Sequence, residues 1–155
     1  MISKSLTDTQ RIAHEFAERI IAETKSVVED TGEGSGVATV IALKGDLGSG
    51  KTTFTKSLAE ALGVNPETVT SPTFVIQKSF PLDVEGPLET LVHIDAYRLE
   101  KPEEIEKLNW RETLANPANI VVIEWPENIG VALPKNATIV SFKFIDENTR
   151  EIVFN

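Results

Sequence analysis

Cysteine is absent from these 155 residues, which excludes disulfides, thiolate nucleophiles and cysteine-type zinc sites. A reducing compartment is compatible with that absence, and the cytoplasm is the expected location. Long apolar runs are missing too. Charge is scattered through the opening thirty residues (Lys4, Asp8, Arg11, Glu15, Glu18, Arg19, Glu23), so no signal-type core or membrane span is legible and no membrane partner is expected. Positive charge is in short supply: 15 Lys and Arg against 24 Asp and Glu leave a net charge of -9. Non-specific nucleic-acid affinity comes mainly from cations releasing phosphate counterions, so a chain this acidic should reach RNA only indirectly, through a partner.

The length suits one domain over residues 1–155, large enough to bury roughly two-thirds of the surface of the unfolded chain. Ile12, Phe16 and Ile20, beside Ala13 and Ala17, have helical spacing over residues 7–23, and Thr7 with Gln10 resembles a capping box. After the glycines at 32, 34 and 36, residues 37–43 read as a buried strand, short and β-branched. A helix is predicted over 52–62, strands over 73–80 and 88–94, a short helix over 102–108, and a buried strand over 120–123. Residues 138–145 and 150–154 form a predicted hairpin around Asp146-Glu147-Asn148-Thr149.

Between the first strand and the second helix stands Gly45-Asp46-Leu47-Gly48-Ser49-Gly50-Lys51-Thr52, a full match to G-x-x-x-x-G-K-[ST]. Glycines let successive backbone N–H groups turn toward phosphate oxygens, and the helix N-terminus adds partial positive charge. Lys51 is placed to reach the β and γ phosphates, and the Thr52 hydroxyl to ligate Mg2+. The alternative is a glycine-rich turn that merely joins a strand to a helix. A chance match in a chain of this size is on the order of one in two hundred, and the strand before and helix after lower it further. The Asn-Lys-x-Asp string by which many GTPases read guanine is missing, which favours ATP.

Magnesium on a triphosphate needs a carboxylate near the loop threonine, usually at the end of a neighbouring buried strand. Asp95 closes Leu91-Val92-His93-Ile94, and Glu124 closes Ile120-Val121-Val122-Ile123; either is also compatible with a solvated loop residue. Arg98 could stabilise charge on a transferring phosphoryl group or make a local salt bridge. His93 shares a strand face with Asp95, and with only His14 as a second histidine a structural, hydrogen-bonded role outweighs that of ligand or base. Thr70-Ser71-Pro72-Thr73-Phe74 suits a loop that senses a γ-phosphate, or an ordinary turn into a strand. Trp125 could stack on a nucleotide or partner, or belong to the core.

Four strings in this order resemble the TsaE (YjeE) family: residues 45–54 (the loop, then Thr53-Phe54), Ser71-Pro72-Thr73-Phe74, His93-Ile94-Asp95-Ala96-Tyr97-Arg98-Leu99 followed by Pro102-Glu103-Glu104, and Glu124-Trp125-Pro126-Glu127. The resemblance covers nearly the whole chain. It implies an α/β protein with a three-layer α/β/α P-loop NTPase fold, a central, largely parallel sheet and a C-terminal β-hairpin. It also implies an ATPase of tRNA threonylcarbamoyladenosine formation, slow alone and activated in a complex with TsaB and TsaD, which resets that assembly rather than transferring the group. Carried over by position, Lys51, Asp95 and Glu124 are catalytic. Thr52 and Glu124 ligate magnesium, and Asp95 positions water or metal. Residues 71–74 form a switch-like loop, and Trp125 lies near the nucleotide. Leu6 and Arg150 are implied at the adenine. The chain departs from the family pattern at Asn109-Trp110, where Gly-Ile or Gly-Leu is usual, and near Thr113, where an aromatic is often found. Two other classes remain open: a small-molecule kinase, and a module that docks on ATP occupancy without hydrolysing it.

Overall fold

The computed structural model describes residues 1–32, 36–65, 67–69 and 76–155. The first helix, α1 (Leu6–Thr31), starts one residue earlier than its apolar stripe predicts and runs on past residue 23. Its cap is Ser5, not Thr7. Ser5 Oγ accepts from the Asp8 N–H at 3.1 Å, while Asp8 Oδ2 accepts from the Lys4 N–H at 2.9 Å, which places Thr7 already inside the first turn.

Among the described residues seven strands form one sheet in the order β1-β7-β6-β2-β5-β4-β3. They are β1 (Ile2–Ser3), β2 (Thr39–Lys44), β3 (Gln77–Pro81), β4 (Thr90–Asp95), β5 (Asn119–Glu124), β6 (Thr138–Phe144) and β7 (Arg150–Phe154). The four central strands β6, β2, β5 and β4 run parallel. Antiparallel partners flank them: β3 on one side, and the predicted hairpin of β6 and β7 with β1 on the other. The first half of the strand predicted over 73–80 falls mostly outside the described residues.

Alternation along β2 divides the core. Ile41 and Leu43 join Leu91, Ile120, Val122 and Val140 under α1 and α2 (Lys51–Ala61), where Phe16, Phe54, Leu58 and Leu62 pack. Val40 and Ala42 face the other way, with Val92, Ile94, Val121 and Ile123, against Leu99, Ile105, Trp110 and Ile129. That second layer consists of α3 (Trp110–Ala115) and 3-10 segments at Ala96–Arg98, Pro102–Leu108 and Pro126–Ala132. The three-layer α/β/α arrangement follows. The helix predicted over 102–108 is a 3-10 segment opened by Pro102. Pairing aligns Leu43 and Asp95 with Glu124, so β2, β4 and β5 all end at one edge, where the loops after parallel strands build ligand sites.

Candidate phosphate-binding site

β2 delivers the chain into the loop at Gly45, whose backbone has no room for a side chain. A Cβ there would lie 2.6 Å from the Phe142 carbonyl oxygen and 2.7 Å from Ser49 Oγ. Gly50, at φ +105, is the N-cap of α2 and supplies no capping side chain; the first turn also lacks an acidic residue. The first α-helical bond runs from the Phe54 N–H to the Gly50 carbonyl at 2.9 Å, so the N–H groups just before it have no partner within the helix. Ser49 Oγ is buried with no hydrogen-bond partner among the described residues. Unpaired donors at the positive end of a helix make an anion cradle.

Lys51 turns back into this loop. Its Nζ donates to the Gly45 and Asp46 carbonyls at 2.6 and 2.9 Å and stands 4.1 Å from the centre of the Trp125 ring. Burial lowers the pKa of the amine, partly offset by the charges of Glu124, Glu127, Asp95 and Asp46. Trp125 follows the last residue of β5 in a left-handed conformation (φ 60, ψ 51), uncommon for a bulky side chain and costing on the order of 1 kcal/mol. Its ring lies 5.1 Å from that of the exposed Tyr97, and Asn128 Nδ2 donates to the Ala96 carbonyl at 2.9 Å, joining the segments after β5 and β4.

Behind the lysine, Glu124 is buried at the end of β5. Thr52 Oγ1 donates to its Oε2 at 3.1 Å; His93 Nε2 and Thr55 Oγ1 lie 3.0 and 3.5 Å from its Oε1. Asp95, opposite Glu124 on β4, caps the next turn by accepting the Tyr97 N–H at 3.0 Å. Thr52, Glu124 and Asp95 line a cavity of about 390 Å³ together with Leu47, Gly48, Gly50, Lys51 and Thr53 of the loop and helix start and with Tyr97 and Trp125, while His93 and Thr55 lie buried behind it.

A second cavity of about 220 Å³ shares Gly50 and Thr53 with the first and is closed by Ser5, Leu6, Thr9, Glu147, Asn148 and Arg150. The start of α1 and the β6–β7 turn therefore meet beside the loop, which brings Leu6 and Arg150 together although they are far apart in sequence. Arg150 packs over the Phe144 ring at 4.7 Å and donates to the Asp146 carbonyl and, at 3.0 Å, to that of Thr149. Arg98 is exposed on the turn after β4 and lies outside the described lining of both cavities. The switch-like segment, Ser71, Pro72, Thr73 and Phe74, lies outside the described residues.

Residues 3–152 match the family model of threonylcarbamoyl adenosine biosynthesis protein TsaE. The chain belongs to the TsaE family. A Bacillus subtilis relative, tRNA threonylcarbamoyladenosine biosynthesis protein TsaE, is 38% identical over 132 residues, covering 85% of this chain and 78% of the relative. A Streptomyces coelicolor protein of the same name is 46% identical over 89 residues, 57% of each chain. The crystal structure of Bacillus subtilis YdiB superposes with a TM-score of 0.65 at 28% identity, covering 99% of this chain and 82% of that one. A role in threonylcarbamoyladenosine biosynthesis goes with the TsaE family.

Within this TsaE-family site, sequence reasoning passed over Thr55, the Ser5 and Thr9 wall, and the neighbours Glu147 and Asn148. Thr55 stands one helical turn after Lys51, whose carbonyl its hydroxyl reaches at 3.0 Å, and that spacing was the available signal. The others became visible only once the hairpin was folded against α1.

Proposed function

We propose that this chain binds and hydrolyses ATP to support threonylcarbamoyladenosine formation in tRNA, acting on a TsaB–TsaD assembly rather than transferring the group itself. The observation that carries the reading is the 3.1 Å contact of Thr52 with the buried Glu124, directly behind an uncapped helix start and the Lys51 ammonium. Hydroxyl and carboxylate oxygens are hard donors of the kind magnesium takes, and the unpaired Ser49 hydroxyl and open N–H groups suit phosphate oxygens, so the residues present fit Mg2+ and ATP.

In this reading the loop N–H groups bind the phosphates, and Lys51 exchanges two neutral carbonyls for charged oxygens, a stronger class of hydrogen bond. Thr52 and Glu124 hold magnesium, which when bound neutralises charge on the β and γ phosphates. Asp95, beside Glu124 at the same strand edge, orients the attacking water. Trp125 and Tyr97 exclude solvent above the lysine, and the cavity at Leu6 and Arg150 takes the base. Catalysis of this kind is mostly positioning and charge stabilisation. The chain's -9 charge agrees with tRNA being reached only through the partner assembly.

Phosphate release measured with purified chain, with and without TsaB and TsaD, tests the proposal. Slow release that rises several-fold with the partners is expected; ATP binding without release in either state would instead identify a docking module. Requirement for an added nucleoside, sugar or alcohol would identify a kinase.

A further inference from the structure

Glu124 is held more tightly than a strand-end carboxylate requires. Its two oxygens face different environments: Oε2 meets Thr52 at the cavity, whereas Oε1 is turned into the fold, 3.0 Å from His93 Nε2. Both side chains are almost wholly enclosed, 1% exposed for His93 and 4% for Glu124. Thr55 is the other neighbour of Oε1, but at 3.5 Å, and its single hydroxyl proton has a nearer acceptor in the Lys51 carbonyl at 3.0 Å. That leaves His93 as the effective donor to Oε1.

The strand register explains how His93 reaches it. His93 pairs with Val122, and Asp95 pairs with Glu124, so His93 lies one pleat back on the same face and diagonally across from Glu124. Asp95 and Glu124, opposite one another with like charge, would repel. A hydrogen bond drawing Glu124 Oε1 away, toward the interior, favours an arrangement in which Oε2 alone faces the cavity. His93 Nδ1 has no hydrogen-bond partner among the described residues. As filler between Leu91 and Val122 an imidazole is a poor choice, because an apolar side chain would occupy the place without burying an unpartnered nitrogen. What an apolar side chain lacks is the donor to Glu124.

We infer that His93 is a positioning residue which orients the Glu124 carboxylate so that Oε2, beside Thr52, is presented for magnesium. The inference rests on the reading of Thr52 and Glu124 as the magnesium site. Hydrogen bonds of this kind to a ligating group change metal affinity by about 10- to 100-fold when lost.

The test compares wild type with His93→Asn, whose amide is too short to reach Oε1, and His93→Gln, whose amide N–H can stand near the place of Nε2. Two quantities are read: affinity for a fluorescent ATP analogue in chelator, and the Mn2+ concentration that half-saturates the nucleotide-loaded protein, followed by electron paramagnetic resonance. For His93→Asn the first should stay within about twofold and the second rise about tenfold, with most of the loss recovered in His93→Gln. Wild-type Mn2+ affinity in a folded His93→Asn protein overturns the inference alone. Absence of Mn2+ binding by the wild type removes the magnesium reading as well. If His93→Asn does not fold, nitrogen NMR of the wild-type ring decides: the Nε2 resonance should move when Mg2+ is added to ATP-loaded protein and stay fixed in Glu124→Gln, and an unmoved wild-type resonance overturns the inference.

Discussion

At Lys51 the cost and the use of one side chain lie close together. Burial beside Trp125 disfavours its charge, and in the proposed function the two loop carbonyls that it grips give way to phosphate oxygens. Lys51→Ala should therefore weaken ATP binding on the order of 10²-fold, the worth of one or two charge-assisted hydrogen bonds, as read by titration calorimetry. Glu124→Ala and Asp95→Ala should instead lower hydrolysis about 10²- to 10³-fold while affinity in chelator changes by no more than about threefold. Wild-type turnover by either variant would refute the roles given to these carboxylates. The loop was legible in the sequence because its residues are contiguous and its glycines answer local needs, as the positive φ of Gly48 (76) and Gly50 (105) shows. The bond from His93 to Glu124 was not, since only strand order makes neighbours of residues 31 apart.

Among the elements, α2 is anchored by Phe54, whose ring meets those of Phe142, Phe16 and Phe154 at centroid distances of 5.3, 6.1 and 6.2 Å. Phe54→Ala should cost about 3–5 kcal/mol of stability, measurable by denaturant unfolding. The β6–β7 turn is tied by Asp146, whose carboxylate accepts the Asn148 and Thr149 N–H groups at 2.9 and 2.8 Å. Those bonds, the Asn148 one foremost, hold its pKa below the ordinary aspartate value. A depressed carboxyl pKa contributes order that is complete above the unfolded value and lost as pH falls through the folded one, so the turn should loosen as pH falls below the ordinary aspartate range. Asp146→Ala should reproduce that loosening at neutral pH and, by moving Glu147, Asn148 and Arg150, weaken ATP binding about fivefold. Strands and long helices were readable from periodicity. Residues 110–115 and 126–132 were not, because segments of one or two turns carry too little pattern, and the Ser5 cap was missed because Thr7 offered the same chemistry two residues later.

For the whole molecule, the layered order of the fold was implied by strand-loop-helix succession together with the family resemblance. The meeting of α1 with the C-terminal hairpin depends on long-range pairing of β1 with β7. With its negative net charge, the isolated chain should show no saturable tRNA binding at physiological salt in a filter assay. Because a bound ligand stabilises the native state by mass action, ATP at about a hundred times its Kd should add about 2.7 kcal/mol and raise the Tm by about 5–10 °C. No helix among the described residues is long and apolar enough to cross a membrane. The most direct measurement is equilibrium dialysis of labelled ATP against the folded wild-type chain. Saturation near one ATP per chain, shifted to about 10²-fold higher ATP in Lys51→Ala, is expected from a loop whose amides and lysine grip phosphate; retention by the wild type no greater than that of an unrelated folded protein would contradict it.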